Sequence, residues 1–234
     1  MKPKLLILRP QPGAKETAAR AAEMGLDPVA APIFNIEPVA WNQPEPAPFD
    51  AVLLTSANAA IEGLQLFTHL PCYAVGGRSA EAARSAGFSE VRTGPADGAA
   101  ILEMMAQAGV RRAFHPCGRD HMQLDHPRIE LERRIVYAAE AADALPADAV
   151  EALDAGALVL LHSPRAARHF ATLVDAAGLD RSRIALAAIS KAAASAAGPG
   201  WGKVAAADAP REAALLELAV RLCKSGDERY GRNR

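Results

Sequence analysis

The sequence predicts an α/β protein with two similar parallel-sheet domains, and three observations support this class. First, Ala51–Phe67 (AVLLTSANAAIEGLQLF) indicates a buried strand, a Thr-Ser turn and a helix. Second, Ala157–Leu173 (ALVLLHSPRAARHFATL) repeats this pattern about a hundred residues later. Third, two proline-containing segments, Glu37–Asp50 and Ala141–Ala149, separate the repeated parts. Strands that alternate with helices in this way are typical of α/β domains.

The other elements follow from short apolar runs, from alanine-rich stretches and from the glycines that end them. Besides the strand that opens Ala51–Phe67, we expect strands at Lys4–Leu8, Pro28–Ile36, Tyr73–Val75, Glu90–Thr93, Arg112–His115, Arg128–Tyr137, Ala157–Leu161, Ile184–Ile189 and Lys203–Ala206. Helices are expected after Ser56 and at Thr17–Met24, Ala80–Ser85, Ala99–Ala108, Ala166–Ala176 and Arg211–Cys223, with a short alanine-rich helix before Gly198. The run Arg128–Tyr137 alternates with period two, which favours a strand over a helix.

The order of these parts allows two domain pairings. Each half of the chain has two parts. The first part contains a basic loop, with Arg9 in the first half and Arg119 in the second, and the next part contains a serine loop, with Ser56 and Ser163 respectively. Consecutive parts can pair, or the two middle parts can form a domain inserted into an outer one. The two proline-containing segments favour insertion, with two strands of chain passing between the domains. This interpretation gives an outer discontinuous domain of residues 1–36 plus 141–225, an inserted domain of residues 38–138, and a fraying tail of residues 226–234.

Composition and motifs argue against several classes of protein. A formal net charge of −1 argues against a nucleic-acid or anionic-membrane binder, and no apolar run is long enough to span a bilayer. The three cysteines have no CxxC spacing, and the start of the chain is too short for a signal-peptide core, so we expect a cytoplasmic protein with reduced thiols. His115, His121 and His126 lack a regular ligand spacing, so we expect no metal.

Polar loops at the predicted strand ends are the candidates for a binding site. Hydroxyls and unpaired backbone N–H groups at helix N-termini hold anions, and the helix dipole adds to this effect. The simpler interpretation is that Ser56, Asn58, Ser79 and Ser163 only cap their helices. Basic residues in most of these loops favour an anion site in a cleft between two domains. The candidates are Arg9, Ser56, Ala57, Asn58, Gly76, Ser79, Gly118, Arg119, Ser163, Pro164, Arg165, Ser190 and Lys191.

The ordered set of segments resembles the uroporphyrinogen-III synthase family from about Lys4 to Leu222. The segments are LxLRP, VLLTSANA, YAVGGRSA, FHPCGR, IVY, VLLHSPRAARHF and AAIS. The resemblance implies a monomer with one α/β domain inserted in another, a two-stranded linker and an active-site cleft between the domains. It also implies cyclisation of the linear tetrapyrrole hydroxymethylbilane, an octacarboxylate, with loss of water and inversion of ring D. No cofactor or metal is implied, and the substrate would come by transient hand-over from hydroxymethylbilane synthase.

The resemblance also implies roles for particular residues. The family's tyrosine that protonates the leaving hydroxyl falls on Tyr137, and a phenol is protonated at neutral pH and can donate a proton. The family's site hydroxyls fall on Ser56, Ser79 and Ser163.

The chain departs from the family pattern in three places. The last loop has Lys191 and two alanines where the family has Gly-Pro followed by Thr or Ser residues. The stretch between Arg119 and Ile135 contains Pro127 and an alternating run instead of a helix that ends in Gly, and Cys117 has no obvious chemical role.

Two other functions fit the loops. One is a non-catalytic two-domain protein that binds an anionic metabolite, which would need the anion loops but no proton donor. The other is a nucleotide enzyme of doubly wound fold. The sequence disfavours it, because GxxxxGK[ST] and GxGxxG are both absent.

Overall fold

A computed structural model describes residues 2–94 and 97–230, with side chains as far as residue 224. The described chain divides into two compact units. Unit 1 contains the residues up to Asn35 together with those from Glu140 onward, and unit 2 contains Ile36–Ala139. Both units alternate strands and helices, so the predicted α/β class is confirmed.

The elements follow in chain order, and 3₁₀ turns at Ala57–Ala59, Leu64–Phe67 and Arg181–Arg183 lie between them. They are β1 (Lys4–Ile7), α1 (Gly13–Glu23), β2 (Asp27–Ala30), β3 (Phe34–Pro38), β4 (Ala51–Leu54), β5 (Cys72–Val75), α2 (Gly76–Ser85), β6 (Val91–Gly94), α3 (Gly98–Gln107), β7 (Arg112–Gly118), β8 (Glu130–Ala141), α4 (Ala147–Asp154), β9 (Leu158–Leu161), α5 (Pro164–Ala176), β10 (Ala185–Ala188), α6 (Lys191–Ala196), β11 (Lys203–Ala206) and α7 (Glu212–Tyr230). None of the described helices could cross a membrane.

Unit 1 is built on a five-stranded sheet in the order β11-β10-β9-β1-β2. All its strand pairs are parallel, which explains why β1 and β9 are continuous apolar runs buried on both faces. Leu5, Leu160 and Leu215 of α7 belong to one core cluster. The direction of strand addition reverses between β1 and β9, and ligands of such sheets bind beyond the carboxyl ends of the strands at this point.

Unit 2 is built on a six-stranded sheet in the order β3-β8-β7-β4-β5-β6. Strands β4 to β8 are parallel to their neighbours, and the order reverses between β4 and β7. Strand β3 runs antiparallel to β8, because Ala142 N donates to Ile33 O while Val39 N donates to Val136 O. The boundary between the units falls within β3 and within β8.

An aromatic cluster lies in one of the two core clusters of unit 2. The rings of Phe67 and Phe114 stack with centroids 4.5 Å apart, and Trp41 stacks on Phe114 at 5.8 Å. Phe49 contacts both phenylalanine rings. These rings pack beneath β4 and β7, so they support the loops that follow both strands.

The helix predicted between Ser56 and Phe67 is wrong. The chain forms two 3₁₀ turns there instead, and Gly63 between them has a φ of 99°. That left-handed conformation interrupts helical hydrogen bonding and suits only glycine at low cost. The repeated pattern therefore predicts the strand and the serine turn correctly but not the helix.

Two predicted loops also belong to regular elements. Helix α2 begins at Gly76, so Gly76 and Ser79 lie in its first turns. Strand β7 continues to Gly118, beyond the end expected at His115. Pro116 is tolerated because β7 pairs with β4 only at Ala113 and Phe114, so no hydrogen bond to β4 is lost at the proline.

Three smaller differences concern boundaries. The strand expected at Pro28–Ile36 is divided into β2 and β3. The second proline-containing segment includes the start of α4, because Pro146 occupies the N-cap and does not interrupt the helix. The tail predicted to fray begins within α7, and residues 231–234 lie outside the described residues.

We expect Gly202→Ala to destabilise unit 1. A Cβ at this position would lie 2.1 Å from the Ser182 carbonyl oxygen, and the backbone cannot yield cheaply because Gly202 N donates to Arg181 O and Ile184 O. The free energy of unfolding should fall by roughly 1–3 kcal/mol, as for other overpacked sites.

Urea unfolding checks this prediction through the emission of Trp201, in a background where the second tryptophan is replaced by phenylalanine. Gly77→Ala in unit 2, where a Cβ meets no atom within 4 Å, is the control, and its unfolding is followed through Trp41 in a background where Trp201 is replaced by phenylalanine. Unchanged unfolding of Gly202→Ala would contradict the packing argument.

Candidate functional site

A cavity of about 280 Å³ opens in unit 2 at the carboxyl ends of β4 and β7, where the strand order reverses. The loops after these two strands supply most of its lining, and β5, α3, β8 and the last residue of β7 supply the rest. The lining residues are Thr55, Ser56, Val75, Gly98, Gly118, Asp120, His121, Met122, Leu124 and Tyr137. The cavity therefore combines hydroxyl, imidazole and carboxylate groups with an apolar side, which is typical of small-molecule sites.

Tyr137 lies directly over Gly118. The two residues are partners in the β7–β8 register, after a register shift between Cys117 and Gly118. A Cβ at residue 118 would come within 2.6–2.9 Å of the Tyr137 ring and hydroxyl. Glycine is therefore required for this close approach, and Arg119 N also donates to Tyr137 O at 2.9 Å. The absence of a side chain at Gly118 leaves room for the phenol at this place in the cavity.

Two histidines lie at and beneath the cavity. His115 on β7 is fully buried, and its Nε2 is 3.1 Å from Thr55 Oγ1. Burial chiefly, with the nearby charges of Arg133 and His121, lowers the pKa of His115 to about 3. His121 Nδ1 is 2.9 Å from Gly118 O, so this nitrogen carries a proton and donates it, because a carbonyl oxygen only accepts.

Three of the candidate serines cap helical turns. Ser56 Oγ accepts from Asn58 N, Ser163 Oγ from Ala166 N and Ser190 Oγ from Ala193 N. Each hydroxyl accepts this bond and keeps its own proton available for a ligand. Capping does not explain Ser79, which is buried within α2 while Val75 occupies the N-cap, and Asn58 lies inside its turn.

Arg9 does not present a free guanidinium. Its Nη1 is 2.7 Å from Glu212 Oε2 and 3.3 Å from Thr17 Oγ1, and Thr17 also donates to Glu212. Burial alone would raise the pKa of Glu212, but the Thr17 hydrogen bond and the Arg9 charge outweigh it and hold this pKa below its usual value. The three residues therefore form an internal cluster that ties α1 to α7.

The remaining candidates of unit 1 lie at the starts of α5 and α6. Ser163 and Pro164 begin α5, and the Arg165 guanidinium lies 4.5 Å from the centroid of the Phe34 ring. Lys191 is exposed at the first position of α6, after Ser190. These residues follow β9 and β10 at the carboxyl edge of the sheet of unit 1.

The structure brings only part of the predicted set together. Ser56, Gly118 and Tyr137 line the cavity of unit 2. The other candidates of unit 2 do not line it; they are Ala57, Asn58, Gly76, Ser79 and Arg119. Sequence reasoning did not select Thr55, Asp120 or His121 for this site, although each is within two residues of a selected one. Among the described residues no group of three His, Cys, Asp or Glu is placed to hold a metal ion, and His126 pairs with Glu103.

Fold and site together define a two-unit parallel α/β protein with a polar cavity at a strand-order reversal. Residues 15–217 match the family described as uroporphyrinogen-III synthase HemD. The chain therefore belongs to the uroporphyrinogen-III synthase family of cyclising lyases in tetrapyrrole biosynthesis, and the resemblance in the sequence is confirmed.

One solved structure supports the fold, and two others are similar at lower TM-scores. Uroporphyrinogen-III synthetase from Helicobacter pylori is 15% identical and has a TM-score of 0.61, over 95% of this chain and 100% of that chain. A mutant uroporphyrinogen III synthase from Thermus thermophilus is 15% identical with a TM-score of 0.45, over 95% and 99% of the two chains. The wild-type Thermus enzyme is 14% identical with a TM-score of 0.40, over 97% and 99%. No curated protein matches the sequence.

We expect the stability of unit 2 to fall as the pH drops below about 6.5. An unfolded histidine titrates near ~6.5, whereas folded His115 titrates at about 3. Between these values the unfolded state binds the additional proton, so the free energy of unfolding decreases with falling pH by about 1.4 kcal/mol per unit for this residue.

Urea unfolding between pH 7 and pH 4 measures this slope through Trp41, which stacks on Phe114 beside His115. In His115→Leu the free energy of unfolding should change less steeply with pH, by up to about 1.4 kcal/mol per pH unit, which corresponds to one proton. Carboxylates elsewhere contribute equally to both proteins. Equal slopes would show that His115 is not a buried neutral residue.

Proposed function

We propose that this chain is a uroporphyrinogen-III synthase that closes hydroxymethylbilane to uroporphyrinogen III with loss of water and inversion of ring D. The family match over residues 15–217 carries the proposal, and the position of Tyr137 in the unit 2 cavity supports it. Holding a flexible linear substrate in a ring-closing conformation provides much of the rate enhancement, because orientation removes an entropic barrier.

Tyr137 donates the proton that converts the departing hydroxyl into water. Its side chain lines the cavity, and among the described residues none makes a hydrogen bond to its hydroxyl. The reaction remains balanced: one α-carbon of ring D bonds to the carbon that lost the hydroxyl, the bond from that α-carbon to its old bridge carbon breaks and re-forms at the other α-carbon, and this second α-carbon releases one proton. A positioned acid of this kind typically contributes about 10²-fold or more to a rate.

The serine and basic loops hold the carboxylates of the substrate. Ser56 and Ser163 each keep a hydroxyl proton for a ligand, and Arg165 and Lys191 supply positive charge at helix starts. Ala57, Asn58, Gly76, Ser79, Gly118, Arg119, Pro164 and Ser190 complete the proposed contact set. Arg9 also belongs to this set, and its guanidinium is held in place by Glu212.

Further parts of the proposal concern the cellular setting and the domains. The reaction joins two carbons of one molecule and releases water without net oxidation, so it requires no cofactor. The protein acts as a cytoplasmic monomer, which receives its substrate by transient hand-over from hydroxymethylbilane synthase.

Its domains are an outer one of residues 1–36 plus 141–225 and an inserted one of residues 38–138; the unit boundaries after Asn35 and Ala139 support these limits. A cleft between the domains stays a prediction.

A coupled assay tests the activity. Hydroxymethylbilane is generated enzymatically with and without this protein, the products are oxidised to porphyrins, and the isomers are separated. We expect predominantly type III isomer only when the protein is present. Type I isomer in both samples would contradict the proposal and leave a non-catalytic protein for an anionic metabolite as the better candidate.

We expect Tyr137→Phe to lower kcat by roughly 10²-fold, because it removes the proton donor and little else. The melting temperature should not change, since the lost hydroxyl has no partner among the described residues. Tyr73→Phe is the matched control: this tyrosine lies in the same unit and binds Arg92, away from the cavity. Unchanged kinetics of Tyr137→Phe would remove the phenol from the mechanism.

We expect the double variant Ser163→Ala/Arg165→Ala to raise KM for hydroxymethylbilane by about tenfold, because one charge-assisted contact is worth roughly that factor. Loss of the α5 cap should cost about 1 kcal/mol of stability, so the assay temperature is kept well below the melting temperature. Arg168→Ala on the exposed face of α5 is the control. A KM equal to that of the parent would count against these loop contacts.

A further inference from the structure

A buried contact between a histidine and a threonine lies beneath the cavity. His115 is fully buried on β7, and its Nε2 is 3.1 Å from Oγ1 of Thr55, which lines the cavity. The second ring nitrogen of His115, Nδ1, is also buried and has no hydrogen-bond partner among the described residues. Burial of the unpaired Nδ1 costs free energy of folding, because this atom loses its hydrogen bonds to water.

The buried environment indicates which nitrogen of His115 carries the proton. Burial keeps the ring neutral at physiological pH, so only one nitrogen is protonated. For backbone groups, a buried N–H without an acceptor is rarer than a buried acceptor without a donor, and we apply the same preference to the ring nitrogens. The proton therefore lies on Nε2, and His115 donates to Thr55 Oγ1.

This arrangement fixes the role of the Thr55 hydroxyl. Because its oxygen accepts from His115, its own proton is available to an acceptor in the cavity. Ser56, the next residue, lines the same cavity, and its oxygen likewise accepts from a backbone N–H. Two adjacent hydroxyl donors match the two oxygens of a carboxylate, and the substrate of the proposed reaction carries eight carboxylates.

We infer that His115 is a positioning residue, which turns the Thr55 hydroxyl toward the cavity as a hydrogen-bond donor to a substrate carboxylate. The inference rests on the proposed function for the identity of the substrate. His121 is not part of this contact, because its Nδ1 is bonded to Gly118 O. Its ring meets that of His115 edge-on, with the centroids 6.4 Å apart.

Steady-state kinetics of four variants tests the inference. Thr55→Val keeps the shape of the side chain without the hydroxyl, and KM for hydroxymethylbilane should rise about tenfold while kcat changes little. His115→Leu should raise KM by a smaller factor. The double variant should be no worse than Thr55→Val alone, because His115 acts through Thr55. His115→Gln, whose amide can donate from a similar distance, should recover part of the loss.

A purely structural role of His115 would give a different result. His115→Leu would then lower stability without changing KM, or the two substitutions would have multiplicative effects on KM. Thr172→Val is the control for the threonine change, because among the described residues this hydroxyl bonds only to Arg168 O on the surface of α5. Unfolding followed through Trp41 shows whether each variant of unit 2 is folded.

Two measurements separate this inference from the proposed function. Binding of uroporphyrin III, an octacarboxylate, is measured by fluorescence without turnover, and its Kd should rise about tenfold in Thr55→Val. Nitrogen-15 NMR of the parent protein identifies the His115 tautomer, which should carry its proton on Nε2. Unaltered Kd in Thr55→Val, or a proton on Nδ1, would overturn the inference even if the parent forms type III product. Failure of the parent to form type III product, with both results as expected, would leave the carboxylate site in place and reject only the catalytic function.

Discussion

The parallel direction of the strands is the constraint on which the rest of this structure depends. In a parallel sheet all strands end at one edge, so the loops that follow them collect there with their helix N-termini. At a reversal of strand order, the loops of neighbouring strands turn to opposite faces and leave a space between them. Unit 2 uses this space between β4 and β7 as a cavity, and Thr55, Gly118 and Tyr137 all depend on it for their proximity.

The position of Tyr137 in this cavity depends on the space left by Gly118. The shift in the β7–β8 register places Gly118 opposite Tyr137, and only a residue without Cβ leaves room for the phenol ring. His121 then bonds to the carbonyl of the same glycine, so this backbone position contacts two of the polar groups in the cavity. Gly118 and Tyr137 belong to the paired strands β7 and β8 rather than to loops. Side chains on paired strands are held more precisely than side chains on loops.

Sequence patterns predicted those features that depend on local chemistry. Apolar runs marked the strands, and Ser56 and Ser163 marked the turns after β4 and β9, since a side-chain oxygen at that position accepts from a backbone N–H of the turn. The helix after Ser56 was wrong because Gly63 adopts a left-handed conformation that the pattern of alanines did not reveal. The contacts of Arg9 with Glu212 and of His115 with Thr55 join residues far apart in sequence, and no local pattern specifies such pairs.

The two units use the same architecture for different purposes. Thr55 and His162 hold equivalent places before the capping serines, each at a reversal of strand order. In unit 1 Arg9, which follows β1, pairs with Glu212, and burial together with the Arg9 charge lowers the pKa of His162 to about 4, so this ring is neutral. In unit 2 the corresponding threonine faces an open cavity and is bonded to a histidine from β7. The ion pair therefore ties α1 to α7 in unit 1, whereas unit 2 places the Thr55 hydroxyl beside that of its capping serine in the cavity that also contains Tyr137.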